Sequence, residues 1–106
     1  MRLAEYRAAT HVMHHWNVIR PTRVEHVSGF SVDIFHRNEL VYEANGEHFV
    51  MDNEGGWDGD GFILAVYPRT LRRLGLSAPV TPQDAERILQ NIRDALDVLQ
   101  VRHEVI

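Results

Sequence analysis

A chain of 106 residues, 44% of them hydrophobic and 25% charged, is long enough for one domain with its own hydrophobic core. The absence of cysteine excludes disulfide bonds, thiolate zinc sites and cysteine nucleophiles. Residues 1–7 are too charged for a secretory signal, and no apolar run reaches the ~18 residues of a membrane span. We therefore expect a single cytoplasmic domain over residues 1–106.

The formal charge of −4 is unevenly distributed along the chain. Between Glu25 and Asp60 there are nine acidic residues and one basic residue, Arg37, which gives this block a local charge of −8. Such a block repels nucleic acid and attracts a basic protein. We therefore expect a basic protein partner, with no direct binding to nucleic acid and no membrane association.

The first predicted elements are a helix and two strands. Residues 3–16 place apolar side chains at near-helical spacing, which predicts a short N-terminal helix that ends before Pro21. Residues 24–27 are predicted to begin a strand. Apolar and polar side chains alternate over residues 30–36, and this period of two predicts a further strand.

Asn45 and Gly46 provide the strongest turn signal in the chain, because a two-residue type I′ turn needs positive φ at both positions. This turn connects a strand at residues 39–44 to one that begins at Glu47. The two-residue loop also sets the register of the two strands. In that register four large side chains share the face expected to form the core: Leu40, Tyr42, Phe49 and Met51.

Three segments follow this hairpin. Residues 52–61 are rich in glycine and acidic side chains, which indicates a loop. Residues 62–67 form the chain's unbroken apolar run, which favours a strand buried on both faces at the centre of the sheet. Residues 69–74 are short enough for one or two helical turns.

Residues 81–100 predict one long amphipathic helix. Thr81 can cap its first turn, and Pro82 suits the first helical position. Apolar residues recur at spacings of three and four: Ala85, Ile88, Leu89, Ile92, Leu96 and Leu99. Such an apolar stripe needs an apolar surface to pack against. Apolar and polar side chains then alternate over residues 101–106, which predicts a final strand.

Taken together, these elements predict an α+β fold. An antiparallel sheet of about five strands carries the long C-terminal helix on one face, and the short helix precedes it at the N-terminus.

The sequence contains no recognisable catalytic or metal-binding motif. His11 and His15 have the i, i+4 spacing of two metal ligands, but no third ligand follows at a useful spacing. A calcium loop beginning at Asp58 would need glutamate where Arg69 stands. Nucleophile elbows, phosphate-binding glycine loops and paired acid/base carboxylates are also missing. We therefore expect no enzyme activity, no metal and no cofactor.

The acidic loop at residues 52–61 has two interpretations. It can be a solvated loop, or it can be a protein-recognition loop in which Trp57 makes the central contact and the acidic neighbours accelerate docking onto a basic partner.

Residues 39–106 resemble the immunity protein 74 family of bacterial polymorphic-toxin systems. The matching parts occur in a fixed order, from the hairpin to the end of the chain. They are Val-Tyr-Glu-Ala-Asn-Gly at 41–46, Gly-Phe-Ile-Leu at 61–64, Leu-Arg-Arg-Leu at 71–74, Pro-Val-Thr at 79–81, Arg-Ile-Leu-Gln-Asn-Ile-Arg at 87–93 and Glu-Val-Ile at 104–106.

The resemblance implies an immunity protein that binds a cognate toxin domain and neutralises it by occluding the active site. The acidic central block suits a basic toxin. We expect the contact surface at the acidic loop, with two glutamates at the hairpin end nearby. The candidate toxin-binding residues are Glu43, Glu47, Asp52, Glu54, Trp57, Asp58 and Asp60.

Three other classes of function stay open. The chain can be a small ligand-binding or regulatory domain with an anion site formed by Arg69, Arg72 and Arg73. It can also be a histidine-dependent metal protein or a structural subunit of a larger complex.

Overall fold

A computed structural model describes residues 15–36, 38–75 and 79–106. This part of the chain folds into seven strands, all in one sheet, and one helix. The elements are β1 (Trp16–Arg20), β2 (Arg23–His26), β3 (Phe30–His36), β4 (Glu39–Ala44), β5 (Glu47–Asp58), β6 (Gly61–Arg73), α1 (Pro82–Val98) and β7 (His103–Val105).

The strands lie in the sheet in the same order as in the sequence. Strands β1 to β6 form a meander in which each strand is antiparallel to the next. Strand β7 is parallel to β6, because the chain crosses back along α1 before it rejoins the sheet. The sheet is therefore mixed, with β1 and β7 at its two edges.

The predicted hairpin is confirmed. Asn45 and Gly46 have φ values of 53° and 78°, as a type I′ turn requires. Tyr42 pairs with Phe49 and Leu40 with Met51, which is the register set by the two-residue loop. Leu40, Tyr42, Phe49 and Met51 are all buried on the same face of the sheet.

The predicted C-terminal helix is also confirmed. Thr81 is its N-cap, and the Thr81 hydroxyl accepts a hydrogen bond of 3.1 Å from the backbone N–H of Asp84. Four side chains of the helix are buried against the sheet: Ile88, Ile92, Ala95 and Leu96. Burial of each larger apolar side chain contributes about 1.5–3 kcal/mol, so this contact stabilises the fold substantially.

The sheet face away from α1 is polar and crossed by ion pairs. Arg20 and Asp33 lie 2.7 Å apart, and Arg72 lies 3.1 Å from Asp52. We call this surface the open face of the sheet. Because strand side chains alternate between the two faces, the hydrophobic core lies between the other face and α1.

The prediction of an antiparallel sheet of about five strands with a short N-terminal helix is wrong. Trp16, predicted to end that helix, begins strand β1 and packs on His26 and Phe30 across two neighbouring strands. Residues 3–14 of the predicted helix lie outside the described residues. Tertiary aromatic contacts thus override a weak helical spacing at Trp16.

Two predicted connections are strands. Residues 52–61 were expected to form a loop, but 52–58 continue β5, 59 and 60 form a turn, and 61 begins β6. Residues 69–73, expected to be helical, complete β6. Hairpin pairing imposes this extended structure on sequences that have low β-propensity of their own.

Strand β6 also differs from the strand predicted at residues 62–67. Among the described residues, its neighbour on the side away from β5 is the three-residue β7, so β6 lies next to an edge of the sheet. Leu64 and Val66 are buried on the core face, whereas the alternate residues Ile63 and Ala65 are partly exposed. The apolar run is thus a strand buried on one face.

A bulge interrupts β6 between its two halves. Val50 pairs with Arg72 and Asp52 with Tyr67, so β6 has three more residues than β5 between these two pairs. The Thr70 hydroxyl accepts a hydrogen bond of 2.8 Å from the Asp52 backbone N–H and donates one of 2.6 Å to the Tyr67 carbonyl. The side chain of Thr70 thereby replaces ladder bonds that the bulge removes.

Candidate functional site

The hairpin formed by β5 and β6 extends past the neighbouring strands. β4 pairs with β5 only as far as Asp52, and β7 pairs with β6 only from Leu64 to Val66. Among the described residues, 54–58 of β5 and 61–63 of β6 therefore have a partner strand on one side only, and we call residues 53–63 the hairpin tip. A two-residue turn at Gly59 and Asp60 closes the tip.

Two aromatic side chains are exposed at the hairpin tip. Trp57 is 80% exposed and Phe62 is 42% exposed, although they pair with each other across the two strands. Their ring centroids lie 5.5 Å apart with a T-shaped angle of 72°. Most of the apolar surface of this aromatic pair is still exposed to water and can be buried by a partner. Trp is the residue type most enriched at the centres of protein interfaces.

Gly55 determines where the Phe62 ring lies. A Cβ atom at residue 55 would be only 2.9 Å from Phe62 Cε2, whereas one at Gly56 would contact nothing within 4 Å. The Phe62 ring thus covers the backbone of Gly55 and is held edge to face with Trp57. A side chain at residue 55 would therefore require the Phe62 ring to move.

We expect Gly55→Ala to displace the Phe62 ring while costing less than about 1 kcal/mol of folding stability, because the ring is the mobile end of a partly exposed side chain. Gly56→Ala is the matched control, since the same added methyl group meets open space. Chemical shifts of the Phe62 and Trp57 ring protons report the displacement. Equal ring shifts in the two variants would contradict this account.

The acidic turn of the hairpin tip is held by Arg102, which lies between α1 and β7. The Arg102 guanidinium contacts the Asp58 carboxylate and donates to the carbonyls of Gly61 and Phe62 at 3.2 and 3.3 Å. The Asp60 backbone N–H also donates to Asp58. The hydrogen bond from Arg102, followed by that from Asp60, lowers the pKa of Asp58.

We expect Arg102→Gln to raise the pKa of Asp58 toward its ordinary value. A lowered carboxyl pKa stabilises the fold above the ordinary carboxyl range, and this contribution is lost as the pH falls through the lowered value. The variant should therefore lose less stability on acidification than the wild type. Carboxyl carbon chemical shifts followed through a pH titration measure the pKa directly, and an unchanged Asp58 curve would refute the pairing.

The predicted site residues fall in three places. Trp57, Asp58 and Asp60 lie together at the hairpin tip. Asp52 lies on the open face just before the tip, where it pairs with Arg72, and Glu54 lies on the same face at the start of the tip. Glu54 accepts a hydrogen bond of 3.0 Å from the Tyr67 hydroxyl, which raises the pKa of Tyr67.

Glu43 and Glu47 are at the opposite end of the molecule from the tip. Glu47 and Asp58 are the first and last residues of β5, and eleven steps of about 3.3 Å separate them by roughly 36 Å. Glu43 lies 3.1 Å from His48 on the open face, and Glu47 lies 2.8 Å from Arg73 on the core face. The expectation that the two glutamates lie near the acidic segment is wrong.

No family model, curated protein or solved structure matches this chain. The resemblance to the immunity protein 74 family stays a prediction.

The three arginines of the alternative anion site do not converge. Arg72 and Arg73 are neighbours in β6, so their side chains leave the sheet on opposite faces. Arg72 is already paired with Glu39 and Asp52, and Arg73 with Glu47. The charges of Arg72 and Arg73 are therefore compensated by these carboxylates, and the geometry does not favour an anion site.

Two further properties concern residues 15–36, 38–75 and 79–106 only. Within these ranges, no three histidine, aspartate or glutamate side chains are grouped so that they could hold a metal ion. No helix in the same ranges is long and apolar enough to cross a membrane.

Sequence reasoning missed three residues of the site: Gly55, Phe62 and Arg102. Phe62 was assigned to a fully buried strand because it begins an apolar run. A signal was available, since a turn at Gly59 and Asp60 would place Phe62 opposite Trp57. No local signal links Arg102 to Asp58, because the two are 44 positions apart.

Proposed function

We propose that this protein binds another protein through the hairpin tip and serves as an immunity protein that neutralises a basic toxin domain. The observation that carries the proposal is the 80% exposure of Trp57 beside Phe62 on a projecting hairpin. Such a side chain gains most when a partner covers it, since burial of a tryptophan removes a large apolar area from water.

The charge of the hairpin tip supports a basic partner. Residues 53–63 contain three acidic side chains and no basic one, and Asp52 directly precedes them. Arg72 and Arg102 offset part of this charge, and the Asp60 side chain remains 89% exposed. Exposed acidic groups around an apolar centre accelerate association with a basic surface and contribute to specificity.

An inhibitor of this kind needs no catalytic machinery of its own. It needs a rigid projection that can enter or cover a concave site. Cross-strand pairing and the Arg102 contacts stiffen the hairpin tip, which reduces the entropy lost on binding.

The test is co-expression with the product of the gene immediately upstream. The proposal predicts a stoichiometric complex on co-purification and suppression of that partner's toxicity in the same cells. A harmless neighbour that does not bind would refute the immunity function.

A further inference from the structure

One edge of the hairpin tip has no neighbouring strand among the described residues. The last bond between β5 and the β4 side joins the Asn53 backbone N–H to the Asn38 carbonyl at 2.9 Å. Beyond it, β5 continues from Glu54 to Asp58 with β6 on one side only. Within the described part of the chain, the tip therefore presents about five residues of unpaired strand edge.

The alternation of a strand shows which backbone groups face this edge. The Asp52 N–H points toward β6, where it donates to Thr70, and the Asn53 N–H points toward the β4 side. Continuing the alternation directs the N–H and C=O groups of Gly55 and Trp57 to the free edge. Those of Glu54, Gly56 and Asp58 point to β6 and form the hairpin ladder.

Proteins protect exposed sheet edges with proline, lysine, bulges or covering groups. The β6 side of the tip has such a cover, because Arg102 donates to the carbonyls of Gly61 and Phe62. At the far edge of the sheet, β1 has a register shift between Val18 and Arg20. The β5 edge of the tip has no proline, no lysine and no register shift between Asp52 and Asp58.

We propose that this edge receives an extended, basic segment of the partner protein as an additional strand. The inference rests on the proposed function and specifies how the partner is recognised. Backbone hydrogen bonds from Gly55 and Trp57 would supply the pairing, as in other cases of strand addition. Gly55 and Gly56 have no side chains to obstruct the approaching strand.

The negative charge beside this edge determines which kind of segment can pair with it. Glu54 and Asp58 lie on one face of the strand, with Asp52 on the same face just before them. Arg72 and Arg102 offset part of the charge of Asp52 and Asp58, so Glu54 contributes most to the negative charge of this face. A second copy of this chain paired at the same edge would bring these carboxylates close to their own equivalents, and opposed like charges destabilise a strand pair. A segment with lysine or arginine at alternate positions places cations beside these carboxylates, and its apolar positions lie beside Trp57.

The experiment uses the full chain and a synthetic peptide of six residues that alternates lysine with valine. Amide hydrogen exchange is measured residue by residue by NMR, with and without the peptide. The expected result is slower exchange at Gly55 and Trp57, about tenfold when the peptide is present at roughly ten times its Kd. Exchange at Glu54 and Gly56, whose N–H groups already face β6, should not change.

Two control peptides separate strand addition from general attraction. A lysine–valine peptide with N-methylated backbone on alternate residues keeps its charge but cannot pair, and it should give no protection. A glutamate–valine peptide should also give no protection. The Glu54→Lys variant should bind the lysine–valine peptide more weakly and the glutamate–valine peptide more tightly than the wild type does. The inference would be overturned if the lysine–valine peptide did not slow amide exchange at Gly55 and Trp57. It would also be overturned if all three peptides slowed exchange equally.

The same readout separates this inference from the proposed function. If the upstream gene product forms a complex that leaves exchange at Gly55 and Trp57 unchanged, strand addition is wrong and the immunity function stands. If the lysine–valine peptide protects these amides but the gene product is harmless and does not bind, the edge is a binding site and the immunity function is wrong.

Discussion

Trp57→Ala is expected to weaken binding of the partner by about 2 kcal/mol or more, which is roughly a 30-fold rise in Kd. Trp57 projects from the hairpin tip with most of its surface in water. A partner that covers the tip gains this apolar area, and alanine cannot replace it. The measurement is a titration of the purified partner by calorimetry.

Val27→Ala is the matched control for this prediction. Val27 is 71% exposed and lies in the turn between β2 and β3, far from β5 and β6 in the strand order. Its removal also deletes an exposed apolar side chain, so it should leave the Kd within twofold. Thermal unfolding should be nearly unchanged in both variants. If Trp57→Ala also left the affinity within twofold, the hairpin tip would not be the contact surface.

The second large effect concerns the fold. Ile92→Ala is expected to lower the free energy of unfolding by about 2–5 kcal/mol, because it leaves a cavity between α1 and the sheet. Ile92 is completely buried. Because small domains have only about 5–15 kcal/mol of total stability, this one change should remove a large part of it.

Arg93→Ala provides the control on the same helix. Arg93 is exposed and adjacent to Ile92, and alanine favours the helix at least as well as arginine does. Its effect should stay within about 0.5 kcal/mol. Urea unfolding curves with unchanged slopes measure both values. A loss below about 1 kcal/mol for Ile92→Ala would show that α1 does not pack on the sheet as described.

Local signals were sufficient where a residue type has one dominant conformational preference. Asn45 and Gly46 predicted both the turn and the register of β4 and β5, because few other residues tolerate positive φ at two successive positions. Thr81 and Pro82 predicted the start of α1, and the apolar stripe predicted the side that it buries.

Local sequence patterns did not predict the structure of segments whose conformation depends on pairing with another strand. Residues 52–61 contain four glycines and one tryptophan, a composition typical of a loop, yet most of them pair across the tip. Residues 69–73 show no alternating pattern, because 69–71 belong to the bulge between Tyr67 and Arg72. These two segments made the predicted β5 and β6 too short, whereas the strand count was too low because β1 was not predicted as a strand. The final strand β7 was expected in a wholly antiparallel sheet, but it is parallel to β6.

The sequence by itself determined the amphipathic helix, one hairpin register and the acidic character of the central block, since each depends on residues close together in the chain. It also pointed to Trp57 as a contact residue. The tertiary structure alone decided that Trp57 meets Phe62, that Arg102 holds Asp58, and that Glu43 and Glu47 lie far from both. These relations depend on strand register and on contacts between distant residues, and side-chain periodicity contains no information about either.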